Sequence, residues 1–214
     1  MKKQIKRNVI KELILRHFEN NAREYMIVIV VLFIGIIGGV FFVNNSSDMQ
    51  KNEISSYINS FVTSLRENAN NVDMGALLKD SVIQNITLGI ALWFMGSTVI
   101  GIVAVYIIVM YRGFCLSYTI AAVMATMPGK SGIIFALSTL LIHNIILIPA
   151  MLALAVSGIK LYKSIMKDRR KENIKIEIIR HTVLSLIFTV ALVLASFVEV
   201  YVSTNILKSV IVYI

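Results

Sequence analysis

From Ser81 to Ile159 the chain runs 79 residues with only two charged side chains, Arg112 and Lys130. A soluble domain carries about one charged residue in four and could not bury an apolar run of that length. A bilayer can. Its hydrocarbon core is about 30 Å thick and takes about 20 apolar residues per helical span. The run is long enough for several crossings, and its two charges mark where the chain is expected to turn. The expected fold class is an all-α polytopic membrane bundle.

The remaining charges are grouped. The net charge is +9, which in a soluble protein would invite a nucleic-acid reading. Here 15 of the 21 basic residues flank apolar spans: seven precede Tyr25 and eight lie between Lys160 and Arg180. That is the pattern of cytoplasmic segments touching anionic lipid, so no nucleic-acid partner is expected. The single cysteine, Cys115, cannot form an intramolecular disulfide. No cleavable signal peptide is expected, because the first apolar run starts only at Tyr25 and ends in Val43-Asn44-Asn45.

Residues 1–24 place Ile5, Val9 and Leu13 at helical spacing beside a stripe of Ile10, Ile14 and Phe18. A basic amphipathic helix on the inner leaflet is expected there. Residues 25–43 form a first uncharged span with a Gly35-x-x-x-Gly39 pair, a pattern that admits a close neighbouring helix. Residues 44–80 carry three basic and five acidic residues, net −2, and belong outside. Within them Ile54, Tyr57, Ile58, Phe61, Val62 and Leu65 form a helical stripe. It serves either to rest the helix on the bundle or to dock an extracytoplasmic partner.

The core, 81–159, is expected to cross three times. One span begins near Asn85 and returns at Arg112, whose guanidinium can snorkel to lipid phosphates. Gly113–Met127 is a short crossing or a re-entrant pair, and Met127-Pro128-Gly129-Lys130 is a turn. Ser131–Ile159 goes back, interrupted by His143-Asn144 and Pro149. Residues 160–181 form a basic cytoplasmic loop, and 182–214 hold the last span and an outer C-terminus. Five crossings with the N-terminus inside put both basic segments in the cytoplasm. Four would not.

No catalytic set is legible. Neither His17, His143 nor His181 has a second histidine within a turn to share a metal. Ser138 stands five residues before His143 without an acidic orienter. No phosphate-cradling G-x-x-x-x-G-K-[ST] occurs. No enzyme activity, metal or cofactor is expected. The polar groups inside the apolar stretches are read as architectural: Asn85 as a helix cap, and His143 and Asn144 as partners for backbone groups freed near Pro149.

The string Gln84-Asn85-Ile86, Leu92-Trp93-Phe94-x-Gly96, Gly101, Arg112-Gly113-Phe114 resembles the stage II sporulation protein M family. So does Gly129-Lys130 followed by Phe135 and the run from Leu140 to Pro149. Broader relatives carry Pro-His-Gly and a glutamate where this chain has Ile142-His143-Asn144 and Leu147, so an ion or proton role is not expected of this motif. The resemblance implies a non-enzymatic scaffold in the mother-cell septal membrane of endospore formers. Its implied partners are stage II sporulation proteins D and P, peptidoglycan hydrolases that act in engulfment. Ile54, Tyr57, Ile58, Phe61 and Leu65 would be the contact stripe, and the partners' own spans would pack on Gly35 and Gly39. Self-association stays open. The alternative is a permease-like subunit working with a separate ATPase.

Overall fold

Ten consecutive residues, Ala150 to Ile159, are buried. A helix apolar on every side has to be surrounded, and this one is. In the computed structural model, residues 18–67, 73–98, 101–127, 129–137, 140, 142–167 and 171–211 are described. Every regular element among them is helical: α1 Ala22–Asn44, α2 Asp48–Glu67, α3 Met74–Gly96, α4 Gly101–Thr126, α5 Lys130–Ala136, α6 Ile142–Lys167 and α7 Lys171–Phe197. A π-helical stretch, Val198–Ser203, joins α7 to α8, Thr204–Ile211. The expected basic helix before residue 18 lies outside the described residues.

α6 is the axis. Around it pack α1 and α4 on one side, and α3 and α7 on the other. Pairing contacts set the directions. Gly35 faces Met110, and Gly39 faces Phe114 and Ser117, so α1 and α4 run parallel. Ser81 meets Glu199, Asn85 meets Ser196 and Trp93 meets Thr182, so α3 and α7 are antiparallel. Lys163 Nζ donates to Glu24 Oε1 at 2.7 Å, which sets the end of α6 beside the start of α1. The five long helices α1, α3, α4, α6 and α7 therefore alternate in direction along the chain.

Four stretches are long and apolar enough to cross a membrane: Ala22–Asn44, Gly101–Thr126, Ile142–Met166 and Ile174–Ser209. α3 has the same 23-residue length as α1 but carries Lys79, Asp80, Gln84 and Asn85 in its first half. Outward faces are apolar, as lipid contact requires: Phe33, Ile37 and Phe41 on α1 and Leu186 and Val190 on α7 are more than half exposed. The buried side of α1 reads Tyr25, Val28, Leu32, Gly35, Gly39, Val43, a 3.6-residue stripe.

Several boundaries differ from the sequence expectation. The second reversal falls between Gly96 and Gly101, not at Arg112. Uncharged residues make this turn: a Cβ at Gly101 would strike the Met95 carbonyl, so only glycine lets the chain double back there. Gly113–Met127 is neither a short crossing nor a re-entrant pair, but the second half of α4. Asp73, not Asn85, caps α3, accepting from the Gly75 and Ala76 amides at 2.9 and 3.0 Å. Of the basic segment 160–181, residues 160–167 belong to α6 and 171–181 to α7. α6 continues through Pro149, so the break expected there does not occur.

Lipid tails are as apolar as leucine, so helices in a bilayer are held by close packing rather than by a hydrophobic force between them. At α1/α4 the closeness comes from Gly35, Gly39 and Gly113; a Cβ on Gly113 would meet the Leu32 carbonyl at 2.5 Å. Gly38, by contrast, faces Phe114 Cδ2 at an ordinary 3.7 Å. Gly35→Ala is expected to lower the thermal midpoint in detergent, with a cost of about 1–3 kcal/mol for overpacking. Gly38→Ala is expected to leave the midpoint unchanged. Equal midpoints for the two variants would refute this account of the α1/α4 seam.

Candidate functional site

Three places gather the polar residues of the bundle. The first is a knot at the basic end. Gly96 on α3 and Gly158 on α6 meet so closely that a Cβ on Gly96 would lie 2.6 Å from Gly158 Cα. His181 of α7, 2% exposed, sits over this contact. Its Nε2 lies 3.2 Å from the Trp93 carbonyl and its Nδ1 lies 2.9 Å from Ser157 Oγ. A carbonyl only accepts, so Nε2 carries the proton, and Nδ1 of the neutral ring accepts from the serine. One imidazole thus joins three helices, adding to the bonds that the Trp93 carbonyl already accepts from the Ser97 amide and hydroxyl. Halfway along α3, Asn85 Nδ2 donates to Ser196 Oγ, near the end of α7, at 2.8 Å, both buried. At the far end Ser81 Oγ donates to Glu199 Oε2 at 2.6 Å. Ser81 and Asn85 of α3 are therefore spent against α7, while Lys79, Asp80 and Gln84 are exposed.

The second place is a cavity of about 160 Å³ between α1, α4 and α6, lined by Leu32, Arg112, Cys115, Thr119, His143 and Asn144 among others. Sequence motifs 31 residues apart converge here. Asn144 Nδ2 lies 3.2 Å from His143 Nε2 and also donates to the Leu140 carbonyl. That carbonyl precedes α6. It is not one freed by Pro149, whose ring leaves the Ile145 carbonyl without an amide. Phe114, next to Gly113, stacks on Tyr118 at 6.0 Å and meets Phe42 edge-on at 5.9 Å. Gly129, at φ 85°, precedes α5 and provides the left-handed turn that starts it.

The third place is α2. Ile58, Val62 and Leu65 pack inward on Val123, Phe135 and Leu207, and Ser55 Oγ lies 3.2 Å from Thr126 Oγ1. Those three positions hold the helix on the bundle. Tyr57 and Phe61 do not: they are 76% and 44% exposed, and Met49, two turns before Tyr57, is 73% exposed. Ile54 stands between, at a hollow of about 390 Å³ shared with Tyr118 and Ala122 of α4. The stripe thus divides into a packing edge and an open edge. Gly35 and Gly39 are occupied by α4 of the same chain. A partner's span has no room on that face, which corrects the expectation of docking there.

His181 was legible in the sequence only as a histidine without a metal partner. Its role needs Ser157 and Trp93, 24 and 88 residues away.

An all-helical bundle with apolar outer faces and internal polar ties defines a multi-pass membrane protein. The model of the stage II sporulation protein M family matches residues 28–204, and the chain belongs to that family. It is a membrane protein of a sporulation family. No curated protein and no solved structure matches it.

Buried side-chain hydrogen bonds in membrane bundles contribute about 0.6 kcal/mol on average and up to about 1.7 kcal/mol. Ser157→Ala is expected to cost no more than that in a denaturant titration. Gly96→Leu, which drives a side chain into the α6 backbone, should cost at least twice as much. The reverse order would show that the imidazole bonds, not the glycine contact, hold α3 to α6.

Proposed function

We propose that this chain is a non-enzymatic membrane scaffold that recruits and anchors peptidoglycan hydrolases at the septum during engulfment. The proposed partners are stage II sporulation proteins D and P. The observation that carries the reading is the open edge of α2. Monomeric proteins leave few large apolar side chains in a row exposed, and such rows mark interaction surfaces. Tyrosine and other aromatic anchors provide most of the energy at protein interfaces. Tyr57 and Phe61 lie one turn apart, and Met49 is exposed two turns before Tyr57, while their neighbours Ile58, Val62 and Leu65 are committed to the bundle. The positive-inside rule supports a wall-side reading of this edge, because the basic residues Lys160 and Lys163 of α6 and Lys175 and Arg180 of α7 lie toward the other end of the bundle.

The family supports a sporulation setting. Anchoring asks nothing of the chain but a rigid platform, and α2 is tied down by Val62 and the Ser55–Thr126 contact.

In sporulating cells, the tagged chain is expected to bring both hydrolases through purification in mild detergent. Tyr57→Glu combined with Phe61→Glu should cut their recovery at least tenfold with normal membrane levels of the scaffold. Val62→Glu should instead lower the level of the scaffold itself, since that side chain is 7% exposed. Undiminished recovery with the double variant would rule out the α2 edge as the contact. Recovery of a cytoplasmic ATPase in place of the hydrolases would favour a permease-like subunit.

A further inference from the structure

We infer that Arg112 and the groove between α3 and α4 form a docking site for another protein's membrane-spanning helix that carries an acidic residue at mid-depth. Arg112 is the twelfth of the 26 residues of α4. Its neighbour Gly113 packs on Leu32, the eleventh of 23 in α1. Across the groove stands Gln84, the eleventh of 23 in α3. Three helices independently place the guanidinium near the middle of the bundle, roughly 16 Å from the start of α4 at 1.5 Å per residue. A charge at that depth is costly and is ordinarily paired.

Its partner is missing among the described residues. No carboxylate of the described residues lies within ion-pair distance of Arg112. The apolar stretches 25–43, 81–159 and 182–198 contain no Asp or Glu, so a second copy would bring none to this depth. Lipid phosphates lie outside the hydrocarbon core, about 15 Å from its centre. A carboxylate on a partner's span reaches Arg112 directly and matches its fork of donors.

The groove has the form for it. It holds about 590 Å³ and opens sideways between α3 and α4. Its walls repeat at helical spacing, Ile83, Thr87 and Ala91 on α3 facing Ile107, Tyr111 and Cys115 on α4. Ile83, Ile107 and Tyr111 are more than half exposed. Two such rows leave a trough into which a third helix fits its side chains.

The inference rests on the scaffold reading for the existence of a membrane-anchored partner. The test uses the full chain in membranes of sporulating cells, with the photo-crosslinking residue p-benzoylphenylalanine in place of Ile107, and in place of Ile37 as a control on the far face of α1. Expected is an adduct at 107, absent at 37, to a membrane-spanning segment that contains Asp or Glu. Arg112→Gln should reduce it at least tenfold and Arg112→Lys should retain most of it. Replacing the partner's acid by its amide should reduce it equally, and exchanging the two charges should restore it. The change on the partner leaves this chain untouched, so it decides the matter even if Arg112→Gln fails to accumulate. Adducts to lipid alone, to a second copy, or to a span without an acid would overturn the inference, as would an adduct unchanged by either neutralisation. If the hydrolases still co-purify while the 107 adduct is absent, the inference fails and the scaffold stands. If the adduct forms with an acidic span of an unrelated protein and no hydrolase is recovered, the scaffold's proposed partners fail and the groove stands.

Discussion

The bundle depends on how closely its neighbours can approach α6. Residues 150–159 read Ala-Met-Leu-Ala-Leu-Ala-Val-Ser-Gly-Ile, half of them small, and all are buried. In a bilayer the gain from packing comes from dispersion and backbone proximity, because leaving lipid for protein changes the polarity of the surroundings very little. Small side chains let the neighbouring backbones come close enough for that gain to count. Gly158 does this for α3 through Gly96, and the same device brings α1 to α4 through Gly35, Gly39 and Gly113. The other helices are placed relative to these two seams.

Polar residues have a different task in the two halves. Between α3, α6 and α7 they are matched to one another: Asn85 with Ser196, and His181 with Ser157 and the Trp93 carbonyl. This pairing lets α3 hold a central asparagine among apolar helices without leaving it unsatisfied. Between α1, α4 and α6 the polar residues line a cavity instead, and Arg112 borders both that cavity and the lateral groove. In the first half Asn85 and His181 are paired within the bundle. The other keeps a charge facing hollows, which separates the structural polar residues of this chain from those available for interaction.

Much of the fold was readable from periodicity and charge. The stripe 25, 28, 32, 35, 39, 43 on α1 and the division of basic and acidic segments follow from local pattern. The boundary between α3 and α4 did not. Lone charges favour the interface, so Arg112 reads as a boundary in the sequence although none lies there. The real turn uses Ser97, Thr98 and Gly101, whose hydroxyls and missing side chain satisfy and admit the reversal without any charge. The α2 stripe was visible as a stripe, but its two edges were not. Which residues face Val123 and Leu207 depends on the azimuth at which the helix settles on the bundle.

Length, apolar runs and the grouping of charges by themselves determined that this chain is a helical membrane protein. Those properties are sums along the chain, insensitive to which helix touches which. Tertiary structure alone decided that His181 is a three-helix tie, that Gly35 and Gly39 are filled from within, and that Arg112 stands near the middle of the bundle with no carboxylate of the described residues in reach. Each of these is a relation between residues dozens of positions apart, and it exists only once the helices are laid side by side.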